Sequence, residues 1–516
     1  MKLPALKSTG NPAKIETVAM RGINYSDQVQ DGDMRDSLNL SARRYPYITT
    51  RRARAQQKKT ETDYYAGCTG LTAWGKLVAV EGTNLLYDGS VVGTVTAGEK
   101  QFAVVNTKMV IWPDKVYLDM TSKEVKPLAA GITGSKATFT ANTMTVSGWA
   151  DLTTLFNKGD GITISGCTTF QDNNQDIVIT SITANSITIS GDTFKAGTEN
   201  STAITLERKI PDMDFICESE NRLWGCSSEK QTIYASASGD PTNFFVYEGL
   251  STDSYAVAVG SEGDFTGCCK LTSSVLFWKE TKLHKMLGGY PAEYSLYTYD
   301  IEGLQKGCHK SMQVINEVLF YMGLHGVYAY SGGTPSLISA NFGDHTFTDG
   351  VAGNDGDSYF LSVKDGDEHH LFVYEIQSGT WVLEDSTNVV DFARIGKDLY
   401  FADANGSVWL EDGREDDPDI RWMAQFTPFY ETVEGRKSYS RILLRLELPK
   451  GSYLSAEVRT DGGKWKECGK IVGRENDVIP MRIPINRCDK FELRLIGKGT
   501  CTILSMLREF KVRSDM

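Results

Sequence analysis

VLFWKETKLHKMLGG, from Val275 to Gly289, and VLFYMGLHGVYAYSGG, from Val318 to Gly333, are built alike. Each opens on a short apolar and aromatic run, passes a polar turn, and closes on a second run that ends in glycine. Such a pair reads as a β-hairpin, because aromatic and β-branched residues suit strands and glycine suits the tight turn. The same unit recurs as LVAVEGTNLLYDG from Leu77, MVIWPDKVYLDM from Met109 and LWGCSSEKQTIYASASG from Leu223. It returns as YFLSVKDGDEHHLFVYEIQSGTW from Tyr359 and LYFADANGSVWLEDG from Leu399. The last five starts lie 52, 43, 41 and 40 residues apart. A period of about 40 to 50 residues with paired strands in each unit is the mark of propeller blades. The expectation is an all-β fold: a β-propeller of about seven blades.

One gap breaks the period. Met109 and Leu223 are 114 positions apart, and between them residues 133–207 have a different texture. Thr, Ser, Asn and Ile alternate there in short runs such as GDGITISGC (159–167), DIVITSI (176–182) and SITISGD (186–192). Removing those 75 residues leaves a normal blade spacing of 39, so 133–207 read as an inserted β domain. After Gly413 the loop REDDPD (414–419) leads into longer alternating runs: RILLRLEL (441–448), YLSAEVRT (453–460), VIPMRIPI (478–485) and FELRLIG (491–497). Alternation with period two marks half-buried antiparallel strands, and DGGKW (461–465) supplies a hairpin turn. The predicted domains are an extended N-terminal arm (1–60), a propeller in two parts (61–132 and 208–413), the insertion, and a C-terminal β-sandwich (414–516). Within the arm, Asp33–Leu38 reads as a short helix or turn, and the arm as a whole as docking on the chain's own propeller or on a neighbour.

Composition narrows the function. The chain of 516 residues has 54 basic and 66 acidic side chains and a net charge of −12, which argues against a protein that coats DNA. No apolar run approaches the ~18 residues of a membrane-spanning helix, and the opening MKLPALKSTGNPAK lacks the apolar centre of a secretory leader. The ten cysteines (Cys68, Cys167, Cys217, Cys226, Cys268, Cys269, Cys308, Cys468, Cys488 and Cys501) form no C-x-x-C pair. They read as reduced, buried thiols of a reducing compartment rather than as a disulfide framework or zinc ligands.

Against the acidic average, Ser37–Thr60 contains no carboxylate and seven cations: Arg43, Arg44, Arg51, Arg52, Arg54, Lys58 and Lys59. Arginine forks match carboxylates and phosphates. These seven are the candidate partner-binding residues, with an acidic protein favoured over DNA; the alternative is pairing with the domain's own carboxylates. The acidic stretches EDGREDDPD (411–419), NDGDS (354–358) and KDGDE (364–368) lack the graded oxygen spacing of a calcium loop and read as solvated turns. His284, His309, His325, His345, His369 and His370 show no metal-ligand spacing, and His369 and His370 read as exposed beside a hairpin turn. No G-x-S-x-G or phosphate-binding loop is present. Two placed carboxylates would suffice for glycosidase chemistry, but nothing selects a pair. Catalytic residues, metal and cofactor are all expected to be absent. The blade aromatics, among them Trp112, Trp224, Trp278, Trp381 and Trp409, read as core between blades rather than as a sugar-binding surface.

RGINYSDQVQDGDMRDSLNL followed by YPYITTRRAR resembles the start of tail proteins from tailed bacteriophages, through Gly22, Asn24, Asp31, Asp33, Asn39, Leu40, Pro46, Arg51 and Arg54. RLWGCSSEKQTIYASASGDPTNF (222–244) and KGCHKSMQVINEVLFYMGLHGVYAYSGGTPSLIS (306–339) are similar to blades of the same proteins. The resemblance is to the tail hub, nozzle or packaged-DNA stabilisation proteins of short-tailed phages. It implies a non-enzymatic virion subunit, assembled in the host cytoplasm into a ring of commonly six copies. Its partners would be itself, the portal, the adaptor or other tail proteins, and genomic DNA passing through a channel without sequence specificity. A carbohydrate-binding or carbohydrate-cleaving propeller that recognises a host surface is the rival reading.

Overall fold

A computed structural model describes residues 12–200, 203–431, 435–474, 478–481, 485 and 487–513. The quoted runs form strands, and their turns use the expected chemistry. Glu220 and Asn221, both at positive φ (51° and 57°), join Phe215–Ser219 to Arg222–Ser227 with Ser219 opposite Arg222. Two left-handed residues in succession are what a two-residue hairpin turn requires to match strand twist.

Among the described residues, seven four-stranded sheets form the seven-bladed propeller arrangement, with first strands Cys68–Trp74, Gln101–Val105, Phe215–Ser219, Gly267–Leu271, Gln313–Ile315, Thr348–Asn354 and Val389–Ile395. The chain divides into two compact units, Lys76–Val318 and Met1–Gly75 with Leu319–Met516.

Within Lys76–Val318, neighbouring sheets pack through their aromatic runs: Trp224, Ile233, Cys268 and Phe277 share one core cluster. The insertion is an eight-stranded sheet running from Ala130 to Arg208, slightly wider than the predicted 133–207. The difference arises because its entry strand Ala130–Gly134 pairs with its exit strand Ile204–Arg208, Ala130 lying opposite Arg208. Sixteen buried residues, including Phe139, Phe156 and Leu206, form its own core. A buried Arg208–Asp160 ion pair at 2.6 Å braces it internally, while the Arg208 bond to the Leu128 carbonyl and paired bonds between Asn243 and the backbone of Gly159 and Gly161 fasten it to its surroundings. Because the two ends are adjacent, replacing residues 131–207 with a short turn should leave the rest of this unit folded. Protection of Phe215–Ser219 and Gly267–Leu271 in hydrogen exchange should persist; loss of that protection would show that the insertion carries blade stability.

In the other unit the C-terminal module is organised by one strand of 25 residues, Arg436–Thr460. Its first part pairs with Thr502–Arg513 and Val478–Met481, its second with Phe491–Lys498 and Lys466–Arg474. One strand thus belongs to two sheet halves, the arrangement by which a strand turns a corner in a sandwich. The sequence pattern suggests two strands, 441–448 and 453–460. A register shift between Leu448 and Tyr453 instead absorbs Pro449–Ser452 and keeps the strand continuous. Lys466–Arg474, across the 461–465 turn, is a strand beyond those expected. Of the expected strand 478–485, residues 482–484 lie outside the described residues.

From Ala13 to Gln56 the N-terminal segment runs in short strands, most of them paired with distant parts of the same chain. Ala13–Thr17 pairs with Thr502–Arg513, Asp33–Leu38 with Arg421–Phe426, and Ile48–Thr50 with Thr502–Ile503. Ala55–Gln56 becomes the fourth strand of the last blade, beside Val408–Leu410. Asp33–Leu38 is therefore a strand and not a helix or turn. Met20, Ile23, Met34, Leu40 and Ile48, all at most 2% exposed, explain why the segment packs down: a free arm would leave them in water.

Candidate partner-binding site

The path of Leu40–Ser41, Ile48–Thr50 and Ala55–Gln56 carries the predicted cations along the seam between the last blades and the C-terminal module. A cavity of about 460 Å³ lies there, lined by Arg43, Arg44, Arg51 and Arg52 and by Glu375, Glu384, Glu411, Asp412 and Glu447. Arg43, Arg44, Arg51, Arg52 and Arg54 all meet carboxylates of their own chain.

Arg54 lies deepest. It donates to Glu411 at 2.8 Å and Asp385 at 2.7 Å, faces Glu384 at 3.1 Å, and stacks over Phe401. Arg51 bonds the Asn39 amide oxygen at 2.8 Å and lies 3.5 Å from Glu384. Burial, then the charge of Glu411, pushes Glu384 well above the ordinary carboxylate range, although Arg54 and Arg51 pull the other way. Burial would also raise Asp385, but Arg54 and two bonds from Thr387 outweigh it and hold that carboxyl low. Burial lowers the proton affinity of the Arg54 guanidinium, yet its carboxylates more than reverse the effect. This inner group is held among carboxylates of its own chain.

The outer group differs. Arg44 pairs with Glu447 at 3.0 Å and Arg52 with Asp412 at 3.1 Å, all four side chains standing in water. Exposed pairs of this kind hold by about 0 to 1 kcal/mol and exchange readily. Arg43 is intermediate, reaching Asp355 and lying 3.6 Å from Glu375. Lys58 donates to the Glu61 carbonyl at 3.1 Å and sits over the Tyr64 ring, and Lys59 lies in the same turn. The segment thus separates into half-buried fasteners, Arg51 and Arg54, and an exposed rim of Arg44, Arg52 and Lys58.

Sequence reasoning misses the carboxylate partners. Glu411 and Asp412 read as part of a solvated turn, yet Glu411 is 7% exposed against Arg54. The usable signal is the run of six acids facing a basic segment, but sequence separation of more than 350 residues hides the pairing. His369 and His370 follow the 366–367 hairpin turn at the start of Glu368–Glu375, but they are half-buried and not exposed. Trp112, Trp224, Trp278 and Trp381 are buried. Among the described residues, no group of three His, Cys, Asp or Glu is placed to hold a metal, and no helix is long and apolar enough to cross a membrane. All ten cysteines are free thiols, and burial pushes those such as Cys167 up to about 11.

No protein-family model matches the chain, and no curated protein matches it. Solved structures with partial likeness include Hsv2 of Kluyveromyces lactis, 13% identical, covering 38% of this chain and 60% of that one with a TM-score of 0.27. Another is an exo-β-1,3-galactanase of Phanerochaete chrysosporium, 8% identical, covering 56% and 92% with a TM-score of 0.22. Likeness at this level carries no argument about what the chain does.

Proposed function

We propose that this chain is a structural subunit of a phage tail or head–tail connector ring, of the hub, nozzle or DNA-stabilisation kind. The observation that supports it most is what the motif residues of the resemblance do here: they are joints of the architecture. Gly22, at φ 80°, sits where any Cβ would lie 2.0 Å from the Trp381 carbonyl oxygen. Asn24 donates to buried Asp33 at 2.7 Å, and Asp31 accepts from Arg508 at 2.8 Å. Asn39, at φ 54°, donates to the Arg421 carbonyl and accepts from Arg51, and the Pro46 carbonyl accepts from Met20. In this chain these residues hold the docked N-terminal segment in place.

The mechanism is geometric. A rigid propeller presents loops to neighbouring subunits, the exposed cations Arg44 and Arg52 meet acidic surface on a neighbour, and the net negative charge lets DNA slide past without adhering. The neighbour's carboxylates replace Glu447 and Asp412, a near-neutral exchange that fixes register more than it adds affinity.

Arg44→Glu together with Arg52→Glu is expected to leave the melting temperature of the purified chain within about 2 °C of the parent, since exposed pairs contribute little. Incorporation into particles should fall by about ten-fold or more, because like charges juxtaposed at an interface cost several kcal/mol. Normal incorporation would exclude the rim as a contact surface. Cryo-electron microscopy of the particles tests the whole reading. A ring around a central channel agrees with it, whereas a peripheral copy with an outward pocket would transfer the protein to host-surface recognition.

A further inference from the structure

Far from the arginine segment in sequence, within Lys76–Val318, three side chains line up as nucleophile, base and orienting group. The Ser261 hydroxyl lies 2.8 Å from His284 Nε2, and Thr298 Oγ1 lies 2.8 Å from His284 Nδ1. The geometry follows from the blade. His284, on Lys282–Leu287, is directly opposite Thr298, on Ser295–Asp300, in the antiparallel register. Ser261 follows the strand Tyr255–Ala258 of the preceding blade. Its loop is held from beneath by Lys279, an almost fully buried ammonium that donates to the Ser261 carbonyl at 2.8 Å, to the Glu262 carbonyl at 3.3 Å and to Gln231 at 2.6 Å. All three aligned residues border one open depression of about 570 Å³, whose apolar wall is Ala258, Val259 and Leu296.

A buried neutral imidazole has one donor and one acceptor nitrogen, and each needs a partner. Here both ring nitrogens are engaged, one by a hydroxyl at a solvent-open depression. With Nδ1–H donating to Thr298, Nε2 is left to accept from the Ser261 hydroxyl, the arrangement that activates a serine. We propose that Ser261 is an acyl-accepting nucleophile, with His284 as its base and Thr298 as a positioning residue, acting on short-chain carboxylic esters.

In the first half-reaction Ser261 Oγ bonds to the ester carbonyl carbon as its proton passes to His284 Nε2. Collapse of the tetrahedral oxyanion breaks the bond to the alkoxy oxygen, which leaves as the alcohol with the proton from Nε2. Water then repeats the sequence on the acyl-serine, releasing the carboxylic acid and restoring the hydroxyl. The small apolar wall suits a short acyl chain. This activity is independent of the assembly reading.

His284 is surrounded by Lys279 and Lys282, the latter paired with Asp300, by the Phe265 ring, and by Glu262 and Asp264 near Lys279. Burial first, then the two ammonium charges, lowers its pKa to about 4. The imidazole is thus neutral and able to accept a proton at every pH above about 5. Its low basicity restricts the site to esters with good leaving groups or to slow turnover.

The test uses the full chain with a fluorophosphonate probe and with p-nitrophenyl acetate. In the probe reaction an Oγ–P bond forms, the P–F bond breaks and fluoride leaves. Peptide mapping by mass spectrometry should place the probe on Ser261 at about one equivalent per chain, and p-nitrophenol should appear as a burst of the same size. Ser261→Ala should abolish both, and His284→Gln should slow them about 100-fold or more. Thr298→Val should slow them about ten-fold with Thr298→Ser restoring the rate, a rescue that a packing role for the threonine methyl would not give. The labelling rate should fall as pH drops through about 4. Probe absent from Ser261 in the wild-type map, or labelling no faster than in urea-unfolded chain, would overturn the proposal. Because the map is read on unmutated protein, misfolding of a variant does not affect that outcome.

Discussion

Replacing Arg54 with alanine should destabilise the unit formed by the N-terminal segment, the last blades and the C-terminal module by about 3 to 5 kcal/mol, the usual cost of stranding buried charges without their partner. Three carboxylates, Glu384, Asp385 and Glu411, converge on this one guanidinium, and all four side chains are at most 16% exposed. Without it they face one another in a poorly solvated space. Hydrogen exchange at Thr380–Asp385 and Val408–Leu410 would register the loss locally. The variant should also steepen the rise in stability toward acid pH that Glu384, already raised well above the ordinary range, gives the parent. In it, the carboxyls have folded-state pKa values raised above their unfolded ones, so they bind more protons when folded, and stability should rise as pH falls from 7 toward 5. In the parent, Asp385 is held below its ordinary value, so its contribution is present at neutral pH and is lost as pH falls through that depressed value. A loss under about 1 kcal/mol, with no change in the pH trend, would mean that the cluster is far better hydrated than its burial indicates. Arg52→Ala, whose partner Asp412 is exposed, is the matched control and should cost no more than about 1 kcal/mol.

Deleting residues 1–56 should have a larger effect still. The cut removes the fourth strand of the last blade and the strands that cover Thr502–Arg513 and Arg421–Phe426. It also strands Arg508, which is 2% exposed and bonds Thr17, Asp31 and Glu431 while lying over Phe429. Bare strand edges and exposed apolar faces recruit other chains. The truncated protein should therefore be recovered mainly as aggregate, with soluble yield down by about ten-fold or more, and any soluble fraction should lack exchange protection in Thr502–Arg513. A soluble, protected truncation would show that the C-terminal sheet stands without its N-terminal strands.

What can be read from sequence follows physical range. Blades are local: a strand, a turn and the next strand lie close together in the chain, so VLFWKETKLHKMLGG displays both halves of its hairpin at once. The insertion is equally visible because its entry and exit strands interrupt a regular spacing. The fate of Ser37–Thr60 is invisible, since Ser37 bonds the Leu383 backbone and Arg54 meets Glu411 across 346 and 357 positions. Charge reveals that this segment seeks carboxylates, not whose. Met34 and Ile48 are isolated apolar residues among polar ones, too sparse for a periodic signal, yet both are fully buried. The Ser261–His284–Thr298 array spans two blades, and neither gap matches a fixed motif spacing.

The strand Ala55–Gln56 sets a timetable for synthesis. Residues 13–56 leave the ribosome early, yet their partners at 409–410 and 502–510 follow hundreds of residues later. At about 5 to 20 residues per second, the 357 positions between Arg54 and Glu411 take roughly 20 to 70 s to make. Throughout that interval the segment must stay dissolved and unpaired while neighbouring blades form beside it. Its crowd of arginines and lysines, before it fastens anything, is what keeps a nascent strand from joining the wrong sheet.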